Sequence, residues 1–353
     1  MTTLSSPLDG GGAARSRATM RDVAALAGVS LKTVSRVVNR EPGVSDELVA
    51  RVSRAAEQLD YRPNLTASNL RRADRRTGTV GLLVEDVANP FFADIHRGVE
   101  DVARRHGAAV MAASLDRDPE SERDLVAAFA SRRVDGLILG PTAREQGYLS
   151  AELRNGWPIV CVDRVPRGVE VDVVLTNNRE ATAEGVTHLL RHGHRRIGFI
   201  GGDSRLSTAH ERHAGYLAAM AAFGAAVRDE WVVFDALTAE GATATVRAML
   251  EQPEPPTAFL TAQNLITMGA VRALRELGRQ HELAIVGFDD FMLADLLEPG
   301  VTVVAQDPRE MGHLTAELLF RRLEHSAEPV RTHVVPCRLL ERGSGEIAPR
   351  TND

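Results

Sequence analysis

The chain has 353 residues, 44% of them hydrophobic and 25% charged, with a net charge of −6. At roughly 100–200 residues per domain this suggests two or three domains, and the composition excludes a mostly disordered chain. No uninterrupted apolar run reaches the roughly 18 residues of a membrane span, the first residues lack an apolar signal region, and the only cysteines, Cys161 and Cys337, exclude a disulfide framework or a multi-cysteine zinc site.

Charge is unevenly placed. Residues 1–77 hold 13 basic and 8 acidic side chains, a balance of +5, while the remainder holds 29 and 40, a balance of −11. A basic head on an acidic body suggests a segment that meets a polyanion. Lys32 is the only lysine; every other cationic side chain besides histidine is arginine.

Residues 1–17 are rich in Ser, Gly and Ala, which predicts a mobile tail. Thr19, with Asp22 three residues on, has the spacing of a capping box, and Val23, Leu26 and Ala27 follow at helical period. Gly28-Val29-Ser30 breaks that helix, since glycine accepts a positive φ and serine caps the next. A second helix, Leu31 to Asn39, carries Val34, Val37 and Val38. After the loop Glu41-Pro42-Gly43, Ser45 caps a third, Asp46 to Leu59. Three short helices with a tight turn between the first two describe a helix-turn-helix domain over 18–63. Residues 64–77, with Arg71, Arg72, Arg75 and Arg76, read as a linker.

From Thr79 strands alternate with helices. Strands are predicted at Thr79–Val84, Ala109–Ala113, Gly136–Leu139, Pro158–Val162, Arg196–Ile200, Val232–Phe234, Thr257–Leu260, Ala284–Phe288 and Thr332–Pro336. Helices are predicted at Phe91–His106, Ser121–Arg132, Ala181–His192, His210–Phe223, Leu265–Leu277 and Arg309–Leu323. This pattern implies an α/β body of parallel sheets over 78–345, covered on both faces. Ligands in such sheets sit beyond the carboxyl ends of the strands. Residues 346–353 read as a tail.

The run Asp22-Val23-Ala24-x-x-Ala27-Gly28-Val29-Ser30-x-x-Thr33-Val34-Ser35-Arg36-Val37-x-Asn39 resembles the LacI/GalR family of bacterial transcriptional regulators. The linker Tyr61-x-Pro63-Asn64-x-x-Ala67-x-x-Leu70 is similar to that family's hinge. The body matches at Asn89-Pro90-Phe91-Phe92, Asp135-Gly136-Leu137-Ile138, Gly193-His194-Arg195-Arg196-Ile197 and Val286-Gly287-Phe288-Asp289-Asp290, so the likeness covers about 18–345.

The resemblance implies a helix-turn-helix head, a hinge, and a two-lobed body like the periplasmic sugar-binding proteins. It places Leu31, Lys32 and Arg36 at base-reading positions of a recognition helix. Arginine can fork onto guanine O6 and N7, lysine can donate to guanine, and leucine can meet a thymine methyl. Thr19, Ser30, Thr33, Ser35, Asn39 and Ser45 fall where the family touches phosphates; by sequence alone Ser30 is equally a helix cap. Asn64, Ala67 and Leu70 belong to the hinge, with Leu70 as a minor-groove wedge.

In the body the resemblance assigns the effector to Asn89, Phe91, Phe92, Asp163, Arg164, Thr208, Arg212, Gln263 and Asp289, with His210 and Gln306 as lesser candidates. Carboxylates accept from sugar hydroxyls and a guanidinium donates in a planar fork. Two departures bear on the effector's chemistry: Gln263-Asn264 stands where many relatives have Asn-Asp, and Ala236-Leu237 where relatives often place a stacking aromatic.

The implied protein is a cytoplasmic repressor of a sugar-uptake or catabolic operon. It binds a palindromic double-stranded DNA operator as a homodimer and answers to a sugar or sugar derivative. No cofactor, metal or membrane is called for. Its final residues, Arg342 to Asp353, lack the apolar heptads that would build a tetramer. An effector-independent regulator governed by a protein partner is the alternative. A carbohydrate-acting enzyme would need a paired acid and base, which no motif picks out. His188, His192 and His194 have metal-like spacing but fall at a helix end; Gly201-Gly202-Asp203-Ser204 lacks the Gly-x-Ser-x-Gly spacing of a nucleophile elbow. Neither a Walker A motif nor a Gly-x-Gly-x-x-Gly motif occurs.

Overall fold

Local capping chemistry sets the first helices where the sequence places them: α1 (Met20–Ala27), α2 (Leu31–Val38) and α3 (Asp46–Gln58). The Asp22 carboxylate accepts from the Thr19 backbone N–H at 2.8 Å and its hydroxyl at 2.7 Å, while Thr19 Oγ1 accepts from Asp22 N. Gly28 ends α1 in the left-handed region, φ 61° and ψ 39°, where a Cβ is strained. Ser30 Oγ then accepts from Thr33 N at 3.1 Å, and Ser45 Oγ from Leu48 N at 3.4 Å. Val23, Val34 and Val52 meet in a small core with Ala24, Ala27 and Ala55, and Tyr61 packs against it.

The computed structural model describes residues 18–38, 43–62, 76–116, 118–324 and 328–350. The chain divides into two units, Met1–Thr77 and Gly78–Asp353. The expected contacts at Asn39, Asn64, Ala67 and Leu70, and the tail at 1–17, lie outside the described residues.

The body has two lobes, each a six-stranded sheet with an apolar core on either face. Lobe 1 holds β1 (Thr79–Val84), β2 (Ala109–Ser114), β3 (Leu137–Leu139), β4 (Ile159–Val162), β5 (Asp172–Thr176) and β11 (Thr332–Val335), all parallel, in the order β11-β5-β4-β3-β1-β2. Lobe 2 holds β6 (Ile197–Ile200), β7 (Val232–Val233), β8 (Ala258–Thr261), β9 (Ala284–Phe288), β10 (Thr302–Ala305) and β12 (Arg338–Leu340), in the order β12-β10-β9-β8-β6-β7, with only β12 antiparallel. Helices α4 (Pro90–Arg105), α5 (Pro119–Ser131), α6 (Ser150–Arg154) and α11 (Pro308–Leu323) belong to lobe 1; α7 (Asn178–Arg191), α8 (Ser207–Ala222), α9 (Ala239–Leu250) and α10 (Asn264–Glu276) belong to lobe 2. Helices α4 and α11 touch backbone to backbone: a Cβ on Gly98 would lie 2.2 Å from the Arg309 carbonyl oxygen.

The chain crosses between lobes after β5, β10 and β11. The first and third crossings are tied together: Thr176 Oγ1 donates to the Val335 carbonyl and Cys337 N donates to Asn177 Oδ1, both at 2.8 Å.

Several elements go beyond the sequence reading: β5, β10, β12, α6 and α9. Strand β5 is led by Asp172, whose buried carboxylate accepts from Arg322 Nε at 2.7 Å and Arg331 N at 2.9 Å. Helix α9 holds Gly241, Thr243 and Thr245, weak helix formers, whose threonine hydroxyls donate to the carbonyls of Ala239 and Gly241.

Residues 346–350 of the expected tail, and Ser344 just before them, are bound along lobe 2. Ser344 Oγ accepts from Thr302 N and donates to the Ile285 carbonyl, Glu346 accepts from Thr302 Oγ1, and Ile347 packs into the core.

Candidate functional site

Two strands end alike. Asp163 follows β4 in lobe 1 and Asp289 follows β9 in lobe 2, at φ 69° and 70°. Each donates its backbone N–H to the neighbouring strand, Asp163 to Val174 O at 2.9 Å and Asp289 to Val304 O at 3.0 Å. A non-glycine residue held in this region stores strain, and here it faces two buried carboxylates into one cleft. All nine expected effector residues line that cleft, which spans about 520 Å³. Gln306 lines it too; His210 is exposed and does not. Glu85, Asp203 and Leu206 are among the further lining residues that sequence reasoning did not find. They lie directly after β1 and β6, so the rule that ligands collect at strand ends could have supplied Glu85 and Asp203.

The charges are largely paired within the protein. Arg164 Nη2 donates to Glu85 at 2.5 Å and Nη1 to the Pro141 carbonyl at 3.4 Å, and its Nε lies 3.2 Å from Asp163. Asp203 is held by Arg205 at 2.6 Å. Burial pushes the Asp163 carboxyl above its usual range, against the opposing pull of Arg164 and then Arg212. Arg212 is buried with its guanidinium carbon 3.8 Å from the centre of the Phe288 ring. Its Nε donates to Asn178 Oδ1 and its Nη1 to the Ala262 carbonyl, both at 2.7 Å. Those bonds use two of the five guanidinium N–H donors. Gln306 Nε2 donates to Asp289 at 2.6 Å, and its buried Oε1 has no partner.

Asn89 is the exception. Its Oδ1 caps α4 by accepting from Phe91 N at 3.0 Å. The same amide exchanges two hydrogen bonds with Asn264 of lobe 2: Asn264 Nδ2 donates to Asn89 Oδ1 at 2.8 Å, and Asn89 Nδ2 to Asn264 Oδ1 at 3.3 Å. The expected ligand contact at Asn89 is thus engaged by the opposite lobe.

Behind Arg164 sits a second support. Glu122, fully buried at the start of α5, accepts from Thr142 N at 2.5 Å, Ala143 N at 2.8 Å, Tyr148 Oη at 2.8 Å and Gln146 Nε2 at 3.2 Å. These bonds fix the loop whose Pro141 carbonyl receives Arg164.

In the head, Leu31 and Lys32 are exposed at the start of α2, and Ser35 and Arg36 are half-buried one turn on, while Val34 enters the core. The expected base-reading side chains thus share a helix whose opposite face is anchored. Thr19, Ser30 and Ser45 cap helices, and Thr33 bonds Ser30 at 2.9 Å. A capping hydroxyl retains lone-pair and donor capacity, so these roles are compatible with phosphate contact.

His188, His192 and His194 serve structure. His188 Nε2 meets Glu346 at 2.5 Å, His192 Nδ1 meets the His188 carbonyl at 2.9 Å, and His194 bonds Thr257 Oγ1 at 2.9 Å and the Ile347 carbonyl at 2.7 Å. Among the described residues no group of three or more His, Cys, Asp or Glu is placed to hold a metal ion, and no helix is long and apolar enough to cross a membrane.

Comparison with known proteins gives the following. Residues 77–343 match the family described as periplasmic binding proteins and sugar binding domain of LacI family, and residues 19–64 match bacterial regulatory proteins, lacI family. The ribose operon repressor of Haemophilus influenzae is 33% identical over 92% of this chain and 98% of its own length. The HTH-type transcriptional regulator PtxS of Pseudomonas aeruginosa is 34% identical over 94% and 96%. Among solved structures, the transcriptional regulator CelR–cellobiose complex is 32% identical over 93% of this chain and all of its own, with a TM-score of 0.69. The lac repressor dimer bound to operator and the anti-inducer ONPF is 25% identical over 94% and 99%, with a TM-score of 0.81.

Proposed function

The chain belongs to the LacI family of bacterial regulatory proteins, and from that premise we propose that it represses a sugar operon by reading DNA through α2 and sensing a sugar in the interlobe cleft. The observation that carries the reading is the convergence of nine separately placed residues on one cleft. Asp163 and Asp289 accept from hydroxyls and Arg212 donates, the complement of a polyol. Relatives include repressors named for the ribose operon and a regulator complexed with cellobiose.

Head and body act by linkage. The sugar favours one arrangement of the lobes and DNA favours one, so each changes the other's affinity by the same factor. The protein works in the cytoplasm as a homodimer on a palindromic operator, because one helix-turn-helix head reads one half-site. The loop after β9 exposes Met292 (84%), Leu293 (57%) and Leu296 (75%). Exposed apolar clusters of this kind mark protein contacts, and we assign this loop to the partner protomer.

The test is a thermal-shift panel of pentoses, hexoses and disaccharides, followed by operator binding with each hit. The reading requires a sugar that both stabilises the body and changes operator affinity. Sugars that stabilise nothing would return the cleft to an effector-independent regulator.

A further inference from the structure

Helices α4 and α10 start on opposite lobes, and their first residues meet across the cleft. Asn89 and Asn264 are 4% and 0% exposed. Each side-chain oxygen also accepts from the start of its own helix, Asn89 Oδ1 from Phe91 N at 3.0 Å and Asn264 Oδ1 from Leu265 N at 2.7 Å. The two helix N-termini are therefore tied tip to tip by the reciprocal amide pair. Asn264 does not line the cleft, whereas its neighbour Gln263 does.

We propose that Asn89 and Asn264 form an interlobe clamp that favours the closed cleft, making Asn264 a positioning residue that sets the effector response without touching the effector. The chemistry requires donors and acceptors on both sides. A carboxamide carries both, so two facing carboxamides can exchange two hydrogen bonds, and burial makes an unmade bond costly. The clamp exists only while the lobes are together, so it draws on the same equilibrium as a ligand in the cleft. A binding-competent state populated in advance removes the conformational cost of binding. This last consequence rests on the effector reading above; the clamp itself does not.

Aspartate variants separate clamping from helix capping. Asp caps a helix N-terminus as well as Asn, so Asn89→Asp keeps the cap of α4, and in Asn264→Asp a carboxylate oxygen can still accept from Leu265 N. Each also keeps one cross-lobe bond, because the remaining amide donates to the new carboxylate. With both substitutions, two carboxylates face each other with no donor between them. The experiment is hydrogen exchange followed by mass spectrometry on the full chain, with neither DNA nor sugar present. Either single variant should leave exchange at 86–93 and 262–268 within about threefold of the native chain. The double variant should raise it on both lobes by about a hundredfold, well beyond the roughly ninefold that two independent threefold effects would give, because no cross-lobe bond then remains and two carboxylates are set against each other. Unchanged exchange at 186–191 in α7 and 315–323 in α11, neither of which lines the cleft, distinguishes release of the clamp from unfolding. Additive effects, or a double variant that exchanges like the native chain, would overturn the clamp. Because the assay contains no effector and no operator, its failure leaves the regulatory reading standing, and a failed sugar screen leaves the clamp standing.

Discussion

Replacing Asp163 by Asn should stabilise the ligand-free body while abolishing its response to sugar. Asp163 is buried and burial holds its carboxyl above the ordinary range despite Arg164 and Arg212, so the charged form is disfavoured on net. Removing one partner of a buried ion pair usually destabilises, by leaving the other charge uncompensated. Here Arg164 keeps Glu85 at 2.5 Å and the Pro141 carbonyl, and Arg212 keeps Asn178 and the Ala262 carbonyl, which limits that penalty. Asn also tolerates the left-handed backbone at this position, φ 69°. Each unit by which burial raises the folded pKa is worth about 1.4 kcal/mol at constant shape, which at roughly 2–4 °C per kcal/mol predicts a melting increase of a few degrees at pH 7. The pH dependence fixes the sign. A carboxyl whose folded pKa is raised keeps its full contribution below the ordinary value near 4 and loses stability as pH rises through the folded pKa. The advantage of Asp163→Asn should therefore be small near pH 4, grow upward, and level off above the folded pKa. Calorimetry across that range is the assay. A variant that melts lower than the native chain at pH 7, or one whose advantage is the same at every pH, would refute the electrostatic argument.

Arg212→Lys keeps the charge but cannot bond Asn178 and the Ala262 carbonyl together while covering Phe288. Losing one charge-assisted bond costs about 1.5–3 kcal/mol, and sugar response should fall with it; an unchanged melting temperature and dose response would contradict the assigned geometry. Lys32→Ala and Arg36→Ala should each cost about 1–3 kcal/mol on the operator and much less on random DNA, and equal losses on both would reduce them to phosphate contacts. Because Lys32 is the only lysine, operator should also shield this one side chain from amine acylation. Met292→Glu with Leu296→Glu should yield monomers by light scattering, and a dimer mass would move the interface elsewhere.

The sequence was most informative where a local rule acts. The capping residues Thr19, Ser30 and Ser45 and the turn at Gly28 mark the head because each satisfies backbone groups within a few residues. Buried parallel strands such as β1 and β9 announce themselves as continuous apolar runs. Strand β5 does not, because its leading Asp172 is neutralised by Arg322 and satisfied further by the Arg331 backbone N–H, both some 150 residues away in the chain. Partners on other elements, 34, 175 and 20 or more residues away, likewise hid Asn178, Asn264 and Glu122. Each is an ordinary polar residue at a helix start until the fold brings its partner. Residues 346–353 read as a tail for a similar reason: Pro349 and the lone large apolar residue Ile347 speak against a helix but say nothing about docking on lobe 2.

The central claim is that the cleft and the DNA-reading helix share one equilibrium. Its most direct test is reciprocity: operator affinity of the full dimer measured with and without a saturating sugar from the panel, and affinity for that sugar measured with and without saturating operator. The account predicts that the two ratios agree and differ from one. A sugar that binds the cleft while both ratios stay at one would contradict it.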